Sequence, residues 1–260
     1  MRTRFALLFL TFSLLTACGS SSMNTPVESI PEPTPSEEVF LESPIPSEEE
    51  TLPPEESVSP VVNTYMYEGA VEDFLEPFDE YSWEREYAPE YIMIHFTSAV
   101  MLDPKNPYDM DSVRSIFEDY DISIHYILDR DGTVYCYMPE TRVAWHAGVG
   151  TFADDEKYTN KMNYYAIGIE ILAIGSENDM AQYLDRYQYK ALDTELIGFT
   201  DAQYDALRDL VSDLCLRYNI PMDKAHVIGH EEYSPGKNDP GELFDWERLL
   251  HTETDSEENQ

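Results

Sequence analysis

The sequence predicts an α/β fold: a single domain built on a mixed central β-sheet flanked by helices. Three observations predict it. Near-continuous apolar runs at 91–98 and 166–172 are the pattern of strands covered on both faces. A hairpin signal, Asp129-Arg130-Asp131-Gly132, joins two shorter strand candidates at 123–128 and 133–138. A long amphipathic helix follows them in the chain, and strands interleaved with helices are packed as layers.

Each element has its own warrant. "YIMIHFTS" (91–98) is rich in β-branched and aromatic residues and turns polar at His95, Thr97 and Ser98. The carboxyl end of a buried strand is where α/β folds place chemistry. "AIGIEIL" (166–172) repeats the pattern around Glu170. "TDAQYDALRDLVSDLCLRY" opens with a Thr200–Gln203 capping box and lines Tyr204, Leu207, Val211, Leu214 and Tyr218 along one face, which predicts a helix. Shorter helices are expected near 111–120 and 244–250, and the segment 173–199, rich in Tyr and charge, is expected to form a lip of a groove. No internal repeat is evident.

The first residues, "MRTRFALLFLTFSLLTAC", combine two arginines with an apolar run from Phe5 to Leu15, too short to span a bilayer. Residues 1–17 fit a secretory signal, and its end resembles a bacterial lipoprotein signal, which implies cleavage before Cys18 and lipid attachment to that sulfur. Residues 18–63 hold prolines at 26, 31, 33, 35, 44, 46, 53, 54 and 60, many serines and ten glutamates, with no Lys or Arg. Such a segment cannot bury a core and reads as a disordered, semi-stiff spacer. The catalytic domain is expected over 64–250, followed by an acidic disordered tail at 251–260. An extracytoplasmic, lipid-anchored protein follows, with the membrane as a partner through its anchor.

The formal net charge is −36. An acidic surface repels polyanions, so nucleic acid is excluded as a partner and substrate must be held in a local cleft. Apart from Cys18 the chain has Cys136, in a strand candidate, and Cys215, on the long helix; both are expected as buried free thiols, and no disulfide framework holds the fold. A monomer is expected.

"GHEEYSPGKNDPG" (229–241) places a histidine, a lysine and an aspartate on a loop whose prolines at 235 and 240 fix φ and remove backbone donors. His226 and His230 are four residues apart, but Val227-Ile228-Gly229 reads as strand, where four residues span about 13 Å, too far to share an ion. His230, entering the rigid loop, is the better ligand candidate, and His226 is a partly exposed structural histidine. His95, His230 and Asp239 together would supply two imidazoles and one carboxylate, a donor set suited to catalytic Zn2+ with one position left for water. Lys237 is placed to lie near a developing oxyanion. His125 and His146 are each open to two readings: orienting a ligand or touching substrate, or serving as a satisfied core histidine.

The ordered set "IMIHFTS", "SIHYILDRDGTVY", "VAWHAG", "NYYAIGIEI", "HVIGHEE" and "PGKNDPG..FDW" resembles the zinc-dependent N-acetylmuramoyl-L-alanine amidases of the type 2 amidase and peptidoglycan-recognition superfamily, over about Tyr91 to Trp246. The resemblance implies hydrolysis of the amide between N-acetylmuramic acid and L-alanine in peptidoglycan. It implies zinc on His95, His230 and Asp239, Lys237 as the residue that stabilises the oxyanion, and Glu170 as the acceptor of the attacking water's proton. A related branch uses a tyrosine just before the hairpin histidine, and this chain has Ile124 there, which favours Glu170 as the base. Two other readings share these residues: a module that binds peptidoglycan without cutting it, and a zinc hydrolase of another amide. Relatives that only bind lack the last ligand, and Asp239 is present.

Overall fold

The run from Tyr91 forms the strand it predicts, and its alternation decides the rest of the architecture. The computed structural model describes residues 66–250; the signal segment, Cys18, the spacer and the acidic tail lie outside them. In chain order the elements are β1 (Val71–Glu72), β2 (Ser82–Glu84), β3 (Tyr91–Thr97), α1 (Met110–Tyr120), β4 (Tyr126–Leu128), β5 (Val134–Cys136), β6 (Arg142–Ala144), α2 (Met162–Tyr165), β7 (Ala166–Leu172), α3 (Arg186–Lys190), α4 (Asp201–Tyr218), β8 (Val227–Gly229), α5 (His230–Tyr233) and α6 (Trp246–Leu250).

The main sheet runs β1-β5-β4-β7-β3-β8, and β2 pairs with β6 in a separate ribbon. Only β4 and β5, joined by the expected hairpin, are antiparallel in the main sheet; β3 lies parallel between β7 and β8. The sheet is therefore mixed, as the sequence predicts.

Side chains alternate across a strand. Ile92 and Ile94 of β3 and Ile167, Ile169 and Ile171 of β7 face α4, burying Tyr204, Leu207, Leu210, Val211 and Leu214 in one cluster. The opposite face takes Met93 and His95, and beyond them Val113 and Phe117 of α1 pack with Ile127 and Tyr137 in a second cluster. Both helices are capped by the residues their sequences offer. Thr200 Oγ1 accepts from the Gln203 amide at 3.1 Å and Gln203 Oε1 accepts from the Thr200 amide at 3.0 Å, which closes the capping box of α4. Asp109 caps α1 through the Ser112 amide at 3.0 Å. Cys136 and Cys215 are free and buried. Among the described residues no helix is long and apolar enough to cross a membrane.

One buried polar cluster holds the carboxyl end of α4 to the sheet. Glu140 is fully buried and accepts from Arg217 Nη2 at 2.7 Å and from the Tyr218 hydroxyl at 2.6 Å, and the Tyr126 hydroxyl also donates to it. Removing one partner of a buried charged pair leaves the other uncompensated. Glu140→Ala is expected to cost about 3–5 kcal/mol, read as a lowered urea midpoint, with the metal site untouched in whatever protein remains folded.

Candidate active site

Alternation and register bring the chemistry together. In the β3–β7 pairing His95 lies opposite Glu170, on the face away from α4 and near the carboxyl ends of both strands. β8 ends at Gly229, so His230 emerges beside them and opens α5. The following loop returns Asp239 to the same point, where its backbone carbonyl accepts from the Glu231 amide at 3.1 Å.

Three atoms meet there. His95 Nδ1 is 2.8 Å from Asp239 Oδ2, His230 Nδ1 is 3.0 Å from the same oxygen, and the two Nδ1 atoms are 3.1 Å apart. His230 Nε2 lies 3.0 Å from the Ala147 carbonyl. A carbonyl only accepts, so Nε2 carries a proton there, and Nδ1 is the nitrogen aimed at Asp239 and His95. Three ligands at about 2.0–2.1 Å from a tetrahedral ion sit about 3.3 Å from one another, close to the observed triangle. The donor set and its geometry fit a metal ion, and these three residues are the ones in the described part of the chain whose atoms converge in this way.

The surroundings hold each group in the form ligation needs. Burial, with His230 and Lys237 adding and Asp239 opposing, pushes His95 down to about 4, so the imidazole is neutral at pH 7. Burial drives the Asp239 carboxyl up, but hydrogen bonds from His230 and His95 outweigh it and hold the group below the usual carboxylate range. His95 Nε2 sits 3.0 Å from His146 Nδ1, and His146 is fixed in turn by Asn163 Oδ1, which accepts from the amides of His146 and Ala147 at 3.1 and 2.8 Å.

A cleft of about 380 Å3 opens over this point, lined on the reactive side by Glu170, His146, Tyr183 and Lys237. Glu170 is partly exposed along the cleft, yet its Oε2 is enclosed and has no partner. Burial pushes its carboxyl well above the usual range, with Asp239 adding and Lys237 opposing. A desolvated carboxylate with a free oxygen beside a candidate metal position is suited to proton transfer.

Residues 85–242 match the family model described as N-acetylmuramoyl-L-alanine amidase. The chain belongs to this family. It is 32% identical over 151 residues to 1,6-anhydro-N-acetylmuramyl-L-alanine amidase AmpD of Haemophilus influenzae, a match that covers 57% of this chain and 66% of that one. To N-acetylmuramoyl-L-alanine amidase AmiD of Escherichia coli it is 29% identical over 166 residues, 61% of this chain and 51% of AmiD. A solved complex of AmiD from E. coli with the substrate anhydro-N-acetylmuramic acid-L-Ala-D-gamma-Glu-L-Lys aligns at 27% identity and a TM-score of 0.47, covering 62% of this chain and 56% of that one. The chain spans about half to two thirds of the length of the curated relatives it matches.

Within this amidase-family domain the structure sorts the remaining histidines. His146 lines the cleft and, through Nδ1, steadies His95, while its Nε2 is buried without a partner. Of the two readings open for His125, its surroundings are those of a satisfied core histidine: it is fully buried, outside the cleft lining, and accepts the Gly168 amide on Nδ1 at 3.0 Å. Its Nε2 is 3.0 Å from Arg85 Nη2, a buried guanidinium that also donates to the carbonyls of Glu140 at 2.8 Å and Tyr164 at 3.0 Å. His125 is thus part of the scaffold against His146, its amide bonded to the Gly168 carbonyl of β7 at 3.2 Å and its ring held by the arginine. His226 is half-buried, 2.7 Å from Asp223 Oδ1 and stacked on Tyr91, well apart from the three converging atoms.

Tyr183 and Asn163 are cleft residues that no local pattern marked. The "GIE" glycine could have pointed to His146. A Cβ on Gly168 would lie 2.6 Å from His146 Cγ and 2.5 Å from Ile124 Cδ1. Gly168→Ala is therefore expected to displace His146, cost about 1–3 kcal/mol by overpacking, and weaken metal binding through His95; thermal denaturation and a metal titration check the two effects.

Proposed function

We propose that the domain is a zinc-dependent N-acetylmuramoyl-L-alanine amidase, which cleaves the lactyl–L-alanine amide of peptidoglycan and releases stem peptides from the glycan. The observation that carries this reading is the meeting of His95 Nδ1, His230 Nδ1 and Asp239 Oδ2 on the floor of a cleft that also holds Glu170 and Lys237. Two imidazoles and one carboxylate are the donors of catalytic zinc sites.

Held by those three residues, zinc would supply a Lewis acid for the amide carbonyl and bring the pKa of a water toward about 7. Glu170 accepts the proton of the attacking water on its unpartnered Oε2 and returns it to the leaving nitrogen of L-alanine. The Lys237 ammonium, in the lining of the same cleft, offsets the negative charge that develops on the carbonyl oxygen. His146 keeps His95 in its bound orientation.

Localisation follows from the amino-terminal sequence. Cys18 carries the lipid anchor, residues 18–63 form a spacer from the membrane, and the domain works extracytoplasmically as a monomer on the wall polymer. An acidic surface and a polyanion-repelling field are compatible with an uncharged amide bound in a local cleft.

Mass spectrometry of muropeptides after incubation of the chain with purified peptidoglycan, with and without a zinc chelator, tests the reading. Free stem peptides with an L-alanine amino terminus and intact glycan chains, lost on chelation, are expected. Binding to the polymer with no new termini would point instead to a recognition module, and cleavage only of other amides to a different zinc hydrolase.

A further inference from the structure

The candidate metal site draws its carboxylate from a loop, and loops hold ligands less well than strands do. Asp239 is nevertheless aligned with two histidines rooted in β3 and at the end of β8. Its backbone is tied to α5 on one side through the Glu231 amide. The other side is held by a residue far off in sequence.

Asp179 opens a 3-10 turn, Asp179–Gln182, in the segment between β7 and α4, and it is 2% exposed. Its Oδ2 accepts two backbone amides, from Ser176 at 2.9 Å and from Glu242 at 3.1 Å. Its backbone carbonyl accepts from Asn238 Nδ2 at 2.8 Å. Asp179 thus bonds to the chain on both sides of Asp239. Glu242 returns the grip: its carboxylate oxygens accept from Ser176 Oγ at 3.0 Å and Asn178 Nδ2 at 2.9 Å. The space is cut to fit. A Cβ on Gly241, whose φ is +80°, would lie 2.5 Å from Asp179 Oδ2. A carboxylate is costly to bury unless its oxygens are hydrogen-bonded, and here the burial is used to anchor the Asp239 loop from outside it.

We infer that Asp179 is a positioning residue for Asp239, locking the 238–242 loop so that the carboxylate meets His95 and His230 in a geometry ready for zinc. The inference rests on the zinc reading proposed above and deepens it: the segment 173–199 is then a clamp on a ligand loop as well as a wall of the cleft. Asp179 does not touch substrate or metal. Its effect is on how well the third ligand is preorganised.

The two amide bonds fall on a single oxygen, which makes the test selective. An asparagine can present its carbonyl oxygen in the Oδ2 position and keep both bonds, whereas an alanine keeps neither. The full chain, Asp179→Ala and Asp179→Asn are compared by zinc affinity in competition with a chromogenic chelator and by the visible spectrum of the cobalt-substituted protein. Asp179→Ala, folded by circular dichroism, is expected to bind zinc about 10–100-fold more weakly and to change its cobalt bands, while Asp179→Asn stays close to wild type in both. An alanine variant with wild-type affinity and an unchanged cobalt spectrum overturns the inference. If Asp179→Ala does not fold, Asn238→Ala removes the bond on the near flank alone; weakened zinc binding supports the inference and unchanged binding overturns it. A wild-type chain that holds no zinc removes the zinc reading and this inference together, whereas zinc binding that is indifferent to these substitutions removes only the inference.

Discussion

Asp239→Ala is expected to abolish turnover and release the metal from a protein that still folds. The substitution leaves His95 and His230, two neutral imidazoles, to hold a dication without the one anionic ligand. The loss should exceed the roughly 10–100-fold fall in affinity that follows removal of a hydrogen-bonding partner to a ligand. The fold should survive because Asp239 lies at the cleft, outside the clusters formed by α4 and α1 against the sheet. Removing it also takes an acceptor from a spot where burial already disfavours charge. Zinc content after dialysis and release of stem peptides are the two measurements. His226→Ala is the matched control: that histidine stacks on Tyr91 and pairs with Asp223, and metal content and activity should stay close to wild type. An Asp239 variant that keeps stoichiometric zinc, or a His226 variant that loses it, would overturn the assignment.

The parts of this architecture that the sequence made legible are those set by local rules. β3 and β7 were readable because both faces of each strand are covered, which leaves an unbroken apolar run, and α4 because its cap and its apolar stripe are written within a few residues. The strand expected from 123 shortens to Tyr126–Leu128 for a reason no local pattern carries: Ser123 gives its amide to Trp145, and the His125 carbonyl accepts from both the Tyr137 and Met138 amides, which interrupts regular pairing beyond the hairpin. The helix expected from 244 begins at Trp246, since Phe244 is drawn into the ring cluster with Phe199 and Tyr204. β1, β2 and β6, two or three residues each, are defined by their partners rather than by their own composition.

The site divides in the same way. Glu170 could be named because strand alternation and its place in "GIE" put it at the carboxyl end of a buried strand, and register then sets it opposite His95. Asp179, Asn163 and Tyr183 could not. Asp179 acts on the 238–242 loop and Asn163 on the amides of His146 and Ala147, partners distant in sequence, and Tyr183 is marked only by the cleft it lines. His125 stays open between two readings in the sequence because its role depends on Arg85, a buried cation whose carbonyl partners lie on three separate elements.

Glu170→Gln is expected to move activity and stability in opposite directions. The amide keeps the shape of the carboxyl but cannot accept the water's proton, so kcat should fall about 10^2–10^4-fold, the range general-base catalysis contributes, while zinc content is unchanged. The metal-free protein should meanwhile become more stable. Burial, and behind it Asp239, raises the folded-state pKa of Glu170 well above its unfolded value, which is about 4.3. The folded apoprotein therefore holds this proton more tightly than the unfolded chain does, and its stability declines as pH rises above about 4 through the folded-state pKa. Glutamine has no proton to lose, so the variant's advantage should be absent near pH 4 and open as pH increases. Zinc bound nearby favours the carboxylate and should shrink the difference. Thermal denaturation of both proteins across pH, with and without zinc, reads all three signs. A variant with wild-type turnover would return proton transfer to another group, and equal stability at every pH would mean that Glu170 finds in solution a partner for Oε2 that leaves it an ordinary carboxylate.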